Sequence, residues 1–239
     1  MNTGVVTAFI PLPVKHLTSG QYHDLAVDLV AGADDAGAKV MTFMDDKLGD
    51  LWAYNLCTGR QPDTPVPPDR YPSAEVNIMS HIVQHNRTAW ALRAAKSYPE
   101  IDRWVWLDYG VMKQGGWGQL HPKMTRESLT RFLRKVATTT EIPDIIPFPG
   151  IEGKGPVYQR CNNWRFCGST HIWPAKHLPA IDKAYRRELE AWIDLHGMVP
   201  LDLPIWALVE KNNPELPFRW YQGEYDATQW DNYPYGSAE

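Results

Sequence analysis

Cysteine is scarce in this chain, long apolar runs are missing, and no phosphate-loop signature is found. Three cysteines, Cys57, Cys161 and Cys167, are too few and too odd in number for a disulfide framework and agree with a reducing compartment. No stretch nears the roughly 20 apolar residues that span a bilayer, and Met1 to Lys15 lacks the basic start and apolar centre of a signal peptide. The expectation is a cytoplasmic protein with no integral membrane segment. Charge of one sign is also scarce: 24 Lys and Arg against 28 Asp and Glu leave a formal −4, so no global pull toward nucleic acid or anionic membrane exists. Gly150 to Gly155 lacks the spacing and ending of a P-loop, and Gly115-Gly116-Trp117-Gly118 does not open a helix after a strand as a dinucleotide fingerprint requires. No Gly-x-Ser-x-Gly elbow occurs either. Common kinases, dehydrogenases and hydrolases are therefore disfavoured.

What the chain does have is enough apolar content, 44% of 239 residues, to bury one large core. Val5 to Ile10 reads as a first buried strand, His23 to Ala36 as a helix and Lys39 to Met44 as a second strand. That β-α-β order favours a parallel pair with both strand ends on one edge. Gln61 to Pro72 is proline-rich and reads as a surface loop. Ala74 to about Ala95 reads as one helix leading into the strand Trp104 to Leu107. Thr125 to Val136 is a helix capped by Thr125, with Met124 and Leu129 as a hydrophobic staple. Trp164 to Thr170 reads as another strand, Pro179 to His196 as a helix stopped by Gly197, and the aromatic tail from Tyr221 as a closing flap. The expected fold is a single α/β, Rossmann-like domain with a mainly parallel central sheet flanked by helices.

The most informative stretch is Trp104-Val105-Trp106-Leu107-Asp108-Tyr109-Gly110. It places Asp108 at the carboxyl end of a buried strand, where open α/β sheets keep their ligand crevice; the plainer alternative is a turn-starting Asp beside Gly. Asp45, Asp108 and Asp226 are candidate ligands for one Mg²⁺ or Mn²⁺, ions that take one or two protein carboxylates beside phosphate oxygens. The alternative leaves Asp45 in a turn and Asp226 on the surface. Asn77, His81 and His85 fall at four-residue steps and line one helix face, either a phosphate or ribose contact or a solvent-exposed face. Cys161, Cys167 and His171 match no common structural zinc spacing. Asp202, just ahead of Leu203-Pro204, is either a helix N-cap or a general base for an acceptor hydroxyl.

Val6-Thr7-Ala8-Phe9, the Trp104 to Gly110 segment, Phe166-Cys167-Gly168-Ser169-Thr170 and Trp220-Tyr221-Gln222-Gly223-Glu224-Tyr225 occur in the order found in the HtrL/YibB family of glycosyltransferase-like proteins, which the chain resembles over most of its length. That resemblance implies a GT-A-type fold and transfer of a sugar from a nucleoside diphosphate donor such as a UDP-sugar. It implies a nucleotide-sugar-binding half over 1–110 and an acceptor-binding half over 111–239. By the same resemblance Ala8, Phe9 and Ile10 contact the nucleotide, and Asp45, Asn77, His81, Tyr109 and Gly110 are the further candidates for facing the donor. Asp108 stands at the Asp-x-Asp position, where the family holds a metal ion, and Gly110 replaces the second aspartate; Asp226 is the candidate second ligand from the carboxylates named above. Gly168, Ser169, Thr170 and Tyr221 are implied to line the acceptor, with Asp108 and Asp202 catalytic. The implied acceptor is a glycan or lipopolysaccharide hydroxyl. Alternatives are a hydroxymethylated DNA base, for which Arg131, Arg134, Lys135, Trp117 and Trp173 would serve as contacts, and a non-catalytic sugar-binding module.

Overall fold

The computed structural model describes residues 2–12, 19–44, 46–63, 73–109, 111–113, 124–139, 144–150, 165–224 and 226–235. Asp45, Gly110, the Gly115 to Gly118 stretch with Trp117, residues 151–155 of the other glycine loop and Cys161 lie outside them. The chain runs through β1 (Thr3–Ala8), α1 (Ser19–Asp35), β2 (Lys39–Phe43), α2 (Tyr54–Cys57), β3 (Gln61–Pro62), α3 (Ala74–His85), α4 (Arg87–Ser97) and β4 (Arg103–Leu107). It continues with α5 (Arg126–Thr138), β5 (Ile146–Gly150), β6 (Thr170–Pro174), α6 (Leu178–His196), β7 (Met198–Val199), α7 (Asp202–Asn212), β8 (Phe218–Gln222) and α8 (Thr228–Asp231).

The central sheet has the order β2-β1-β4-β6, with β1 parallel to both β2 and β4 and β6 antiparallel to β4. Two further parallel pairs, β3 with β7 and β5 with β8, stand beside it. Alternate residues of β1 and β4 enter two different cores. Val6, Ala8, Trp104 and Trp106 pack with residues of α4, α6 and α7, while Val5, Val105 and Leu107 pack with α1, α5 and Trp230. Burial on both faces is why these strands read as continuous apolar runs.

Local signals explain the helices that match expectation. Thr125 and Ser128 form a reciprocal capping box at α5, the Ser128 N–H donating to Thr125 Oγ1 at 3.2 Å and the Thr125 N–H to Ser128 Oγ at 3.0 Å. Gly197 ends α6 with φ 71°, a left-handed geometry that favours glycine.

Four expectations need correction. The single helix over 74–95 is two, because Asn86 closes α3 and opens α4. The strand near Thr170 begins at that residue, since Cys167 donates its N–H to the Pro149 carbonyl at 2.7 Å and the segment before β6 turns instead of extending. The aromatic tail is not a flap. Its first part is β8, paired with β5 from Ile146↔Phe218 to Gly150↔Gln222, and Trp230 and Tyr233 are buried against Phe132. Asp202 is the first residue of α7 and not its cap; Leu201 holds the cap position. Among the described residues no helix is long and apolar enough to cross a membrane.

Candidate functional site

Because β1 and β4 are parallel, their carboxyl ends share one edge, and the pairing Val6↔Trp106 carries Ala8 level with Asp108 two residues on. Phe9 and Tyr109 follow, their rings stacked at 4.7 Å with an interplanar angle of 29°. Phe9 is also tied to β2, its N–H donating to the Phe43 carbonyl at 3.0 Å, and Ile10 packs on the larger core. Asp108 is anchored through its backbone: its N–H donates to Ser169 O at 3.0 Å, and its carbonyl accepts from Val111 N–H at 2.7 Å.

The Asp108 carboxylate is held by a residue that the sequence did not single out. Arg87 Nη2 donates to both Asp108 oxygens, at 2.9 and 3.1 Å, and the Trp106 indole N–H donates to Oδ1 at 2.8 Å. The other guanidinium nitrogen, Nη1, donates to Asp202 Oδ2. The Arg87 side chain is 5% exposed and that of Asp108 30%; Asp202 is buried as well. Burial pushes the Asp202 carboxyl above its ordinary range, against the opposing pull of Arg87. In this structure the Asp202 carboxylate is enclosed against Arg87; a general base must come within hydrogen-bond reach of the proton it takes.

Helix α4 repeats this device. Trp90 Nε1 and Arg93 Nη1 both donate to Asp46 Oδ2, each at 2.6 Å, just beyond β2. Arg87, Trp90 and Arg93 are spaced three apart, so one face of α4 fastens carboxylates at the ends of two strands. Trp90 also stacks on Trp106 with centroids 5.8 Å apart. That spacing was the signal available in the sequence.

Other expected site residues lie elsewhere or are already engaged. Asn77 and His81 are buried on α3, which packs on β3 and α7, and burial pushes His81 down to about 4. His85 is pushed to about 3 by burial and by neighbouring His81, and its ring bonds Tyr185 and the Pro200 carbonyl. Neither histidine offers a solvent-facing edge to phosphate or ribose. Ser169 and Thr170 donate their hydroxyls to Gln229 Oε1 at 2.8 and 2.6 Å, and the Tyr221 hydroxyl donates to Gln229 O at 2.7 Å. All three are buried: Ser169 and Thr170 tie Gln229 of α8 to the start of β6, and Tyr221 ties it to β8. Gly168 does reach the centre: a Cβ there would lie 3.0 Å from Asp202 Oδ2 and 3.3 Å from Arg87 Nη1. On α5, Arg131 pairs with Asp231, Arg134 donates to Asp35 O and Lys135 to Asp231 O. Trp173 is fully buried, so it is no exposed platform for a base.

The donor set bears on a metal ion. Among the described residues no three His, Cys, Asp or Glu side chains gather into a cluster. Asp226 spends Oδ1 on the backbone N–H of Thr228, at 2.8 Å, and on that residue's hydroxyl. An ionised carboxylate offers about four acceptor positions, and Asp108 uses two on Oδ1 and one on Oδ2. One position, on Oδ2, remains. These residues therefore fit a divalent ion through one carboxylate oxygen, with phosphate oxygens and water as its other ligands.

No protein-family model matches the sequence, and no curated protein matches it either. Among solved structures, the crystal structure of a glycosyltransferase involved in the glycosylation of the major capsid of PBCV-1 is similar, with a TM-score of 0.51 at 11% identity. The match covers 94% of this chain and 82% of that one. At that identity the likeness concerns architecture, and the chain has a mixed α/β, GT-A-like glycosyltransferase fold with a mostly parallel central sheet.

Proposed function

We propose that this chain is a glycosyltransferase that moves a sugar from a nucleoside diphosphate sugar, a UDP-sugar in the first instance, to a hydroxyl of a glycan or lipopolysaccharide acceptor. The observation that carries the reading is Asp108: a partly exposed carboxylate, fixed by Arg87 and Trp106 at the carboxyl edge of the sheet, beside the Phe9 and Tyr109 rings. The resemblance of its motifs to those of the HtrL/YibB family and the likeness of its fold to a glycosyltransferase structure support it.

In this reading the aromatic pair receives the nucleotide base and Asp108 orients the donor. Its remaining Oδ2 position accepts a sugar hydroxyl or holds Mg²⁺ or Mn²⁺. Such an ion, when bound, stabilises the charge of the departing diphosphate. Water is excluded on the inner side, where Arg87, Asp202 and the Trp90–Trp106 stack close the floor of the edge.

A thermal-shift panel of nucleotide sugars, with and without Mn²⁺, tests the proposal. A donor present at a hundred times its Kd stabilises the native state by about 2.7 kcal/mol, which for a domain of this size raises Tm by roughly 5–11 °C. Asp108→Asn is expected to lower turnover of that donor by on the order of 10²-fold or more. If no nucleotide sugar moves Tm and none is hydrolysed, the chain is not a sugar transferase.

A further inference from the structure

We propose that Arg87 is the positioning residue of this site: it fixes the Asp108 carboxylate at the edge while Asp202 holds the guanidinium from behind. The role of Asp108 toward a donor rests on the sugar-transfer reading; the bridge itself rests on geometry alone. Two different nitrogens of one planar group serve the two carboxylates, Nη1 for Asp202 and Nη2 for Asp108. Such a fork transmits orientation, since a guanidinium secured on one side cannot rotate freely on the other.

Position in the fold supports this division of roles. Arg87 is the first residue of α4 and Asp202 the first of α7, so the bridge ties two helix starts to one strand end. A cation at a helix start stands against the helix dipole, whereas a carboxylate there is favoured. The placement of Arg87 is therefore explained by its two carboxylate partners and not by α4 itself. Of the three side chains only Asp108 reaches solvent appreciably, so Asp202 acts on any donor through Arg87 and Asp108. Gly168 lets the chain press onto the inner ion pair, with room for no side chain unless Asp202 or Arg87 gives way.

The Trp106 indole N–H, bonded to Asp108 Oδ1, supplies a reporter that needs no substrate. Its ¹⁵N–¹H resonance is identified by its loss in Trp106→Phe. Asp202→Asn keeps an acceptor oxygen beside Arg87 but removes the charge, and the Asp202 side chain has no hydrogen bond to Trp106 or Asp108. The expected result is a displaced Trp106 indole resonance in Asp202→Asn, with the remaining indoles largely unmoved. Asp202→Glu, which keeps the charge but displaces it, is the second variant and is expected to act in the same direction. A Trp106 resonance that stays in place in a folded variant overturns the bridge. UDP titration by calorimetry on the same samples separates the two readings. A responsive Trp106 without UDP binding upholds the bridge and counts against sugar transfer; UDP binding with an unmoved Trp106 does the reverse.

Discussion

Replacing Arg87 with Met keeps much of the side-chain length and removes the one charge between two carboxylates. Withdrawing one member of a buried ion pair leaves its partner uncompensated and costs about 3–5 kcal/mol. In a domain of this size each kcal/mol moves Tm by about 2–4 °C, so the expected fall is roughly 6–20 °C. The pH dependence distinguishes lost charge from lost packing. Burial already raises the Asp202 carboxyl, and Arg87 is the main opposition to that rise; in Arg87→Met that opposition is gone. A carboxyl whose folded pKa lies above its unfolded value, about 3.9, favours the native state fully below that value and loses the contribution as pH rises through the folded pKa. The stability gap between Arg87→Met and the parent chain is therefore expected to be narrow near pH 4 and wide at pH 7. Adding Asp202→Asn should recover part of the loss at pH 7. Urea unfolding followed by tryptophan fluorescence across that range measures both. A loss below about 1 kcal/mol, or one constant with pH, refutes the argument, because an uncompensated buried carboxylate must respond to protons.

Three further outcomes are expected. Phe9→Ala removes one ring of the stacked pair and should weaken UDP binding by about 1–3 kcal/mol, the worth of one base-stacking contact; an unchanged calorimetric Kd would place the base elsewhere. Gln229→Ala takes away the acceptor shared by the Ser169 and Thr170 hydroxyls and should cost about 1–3 kcal/mol in urea unfolding, whereas a change under about 0.5 kcal/mol would mean that other partners hold the C-terminal segment. Burial raises the Cys57 and Cys167 thiols to about 12, so both should resist a disulfide reagent at pH 8 until the protein unfolds. Rapid labelling of either under native conditions would contradict their enclosure.

The parts of the fold that were legible in the sequence are those written in local signals. Strands β1 and β4 are apolar runs because both their faces are covered, Thr125 caps its own helix, and Gly197 stops α6 with its own backbone geometry. The place of Asp108 at a strand end was legible because the apolar run and the acidic residue adjoin in the chain. The other half of the site is non-local. Arg87 meets Asp202 across 115 positions, and nothing near either residue names its partner; the Leu203-Pro204 helix signal beside Asp202 suggested a cap instead. Ser169, Thr170 and Tyr221 were placed at the acceptor by the family resemblance, which carries no information on their contacts in this chain. Their hydroxyls are committed to Gln229, some 60 positions away for Ser169. Likewise β8 looked like a tail because its partner β5 lies far back in the chain.

That separation along the chain has a consequence during synthesis. Arg87 and Asp108 are 21 positions apart and leave the ribosome nearly together. At roughly 5–20 residues per second, the 115 positions to Asp202 correspond to about 6–23 s of elongation. For that interval the nascent chain holds a guanidinium with one of its two carboxylates, and the core face that α6 and α7 cover remains open to water or to a chaperone. The inner wall closes only when α7 has been made, so the sheet edge that carries Asp108 is among the last parts of this protein to take its shape.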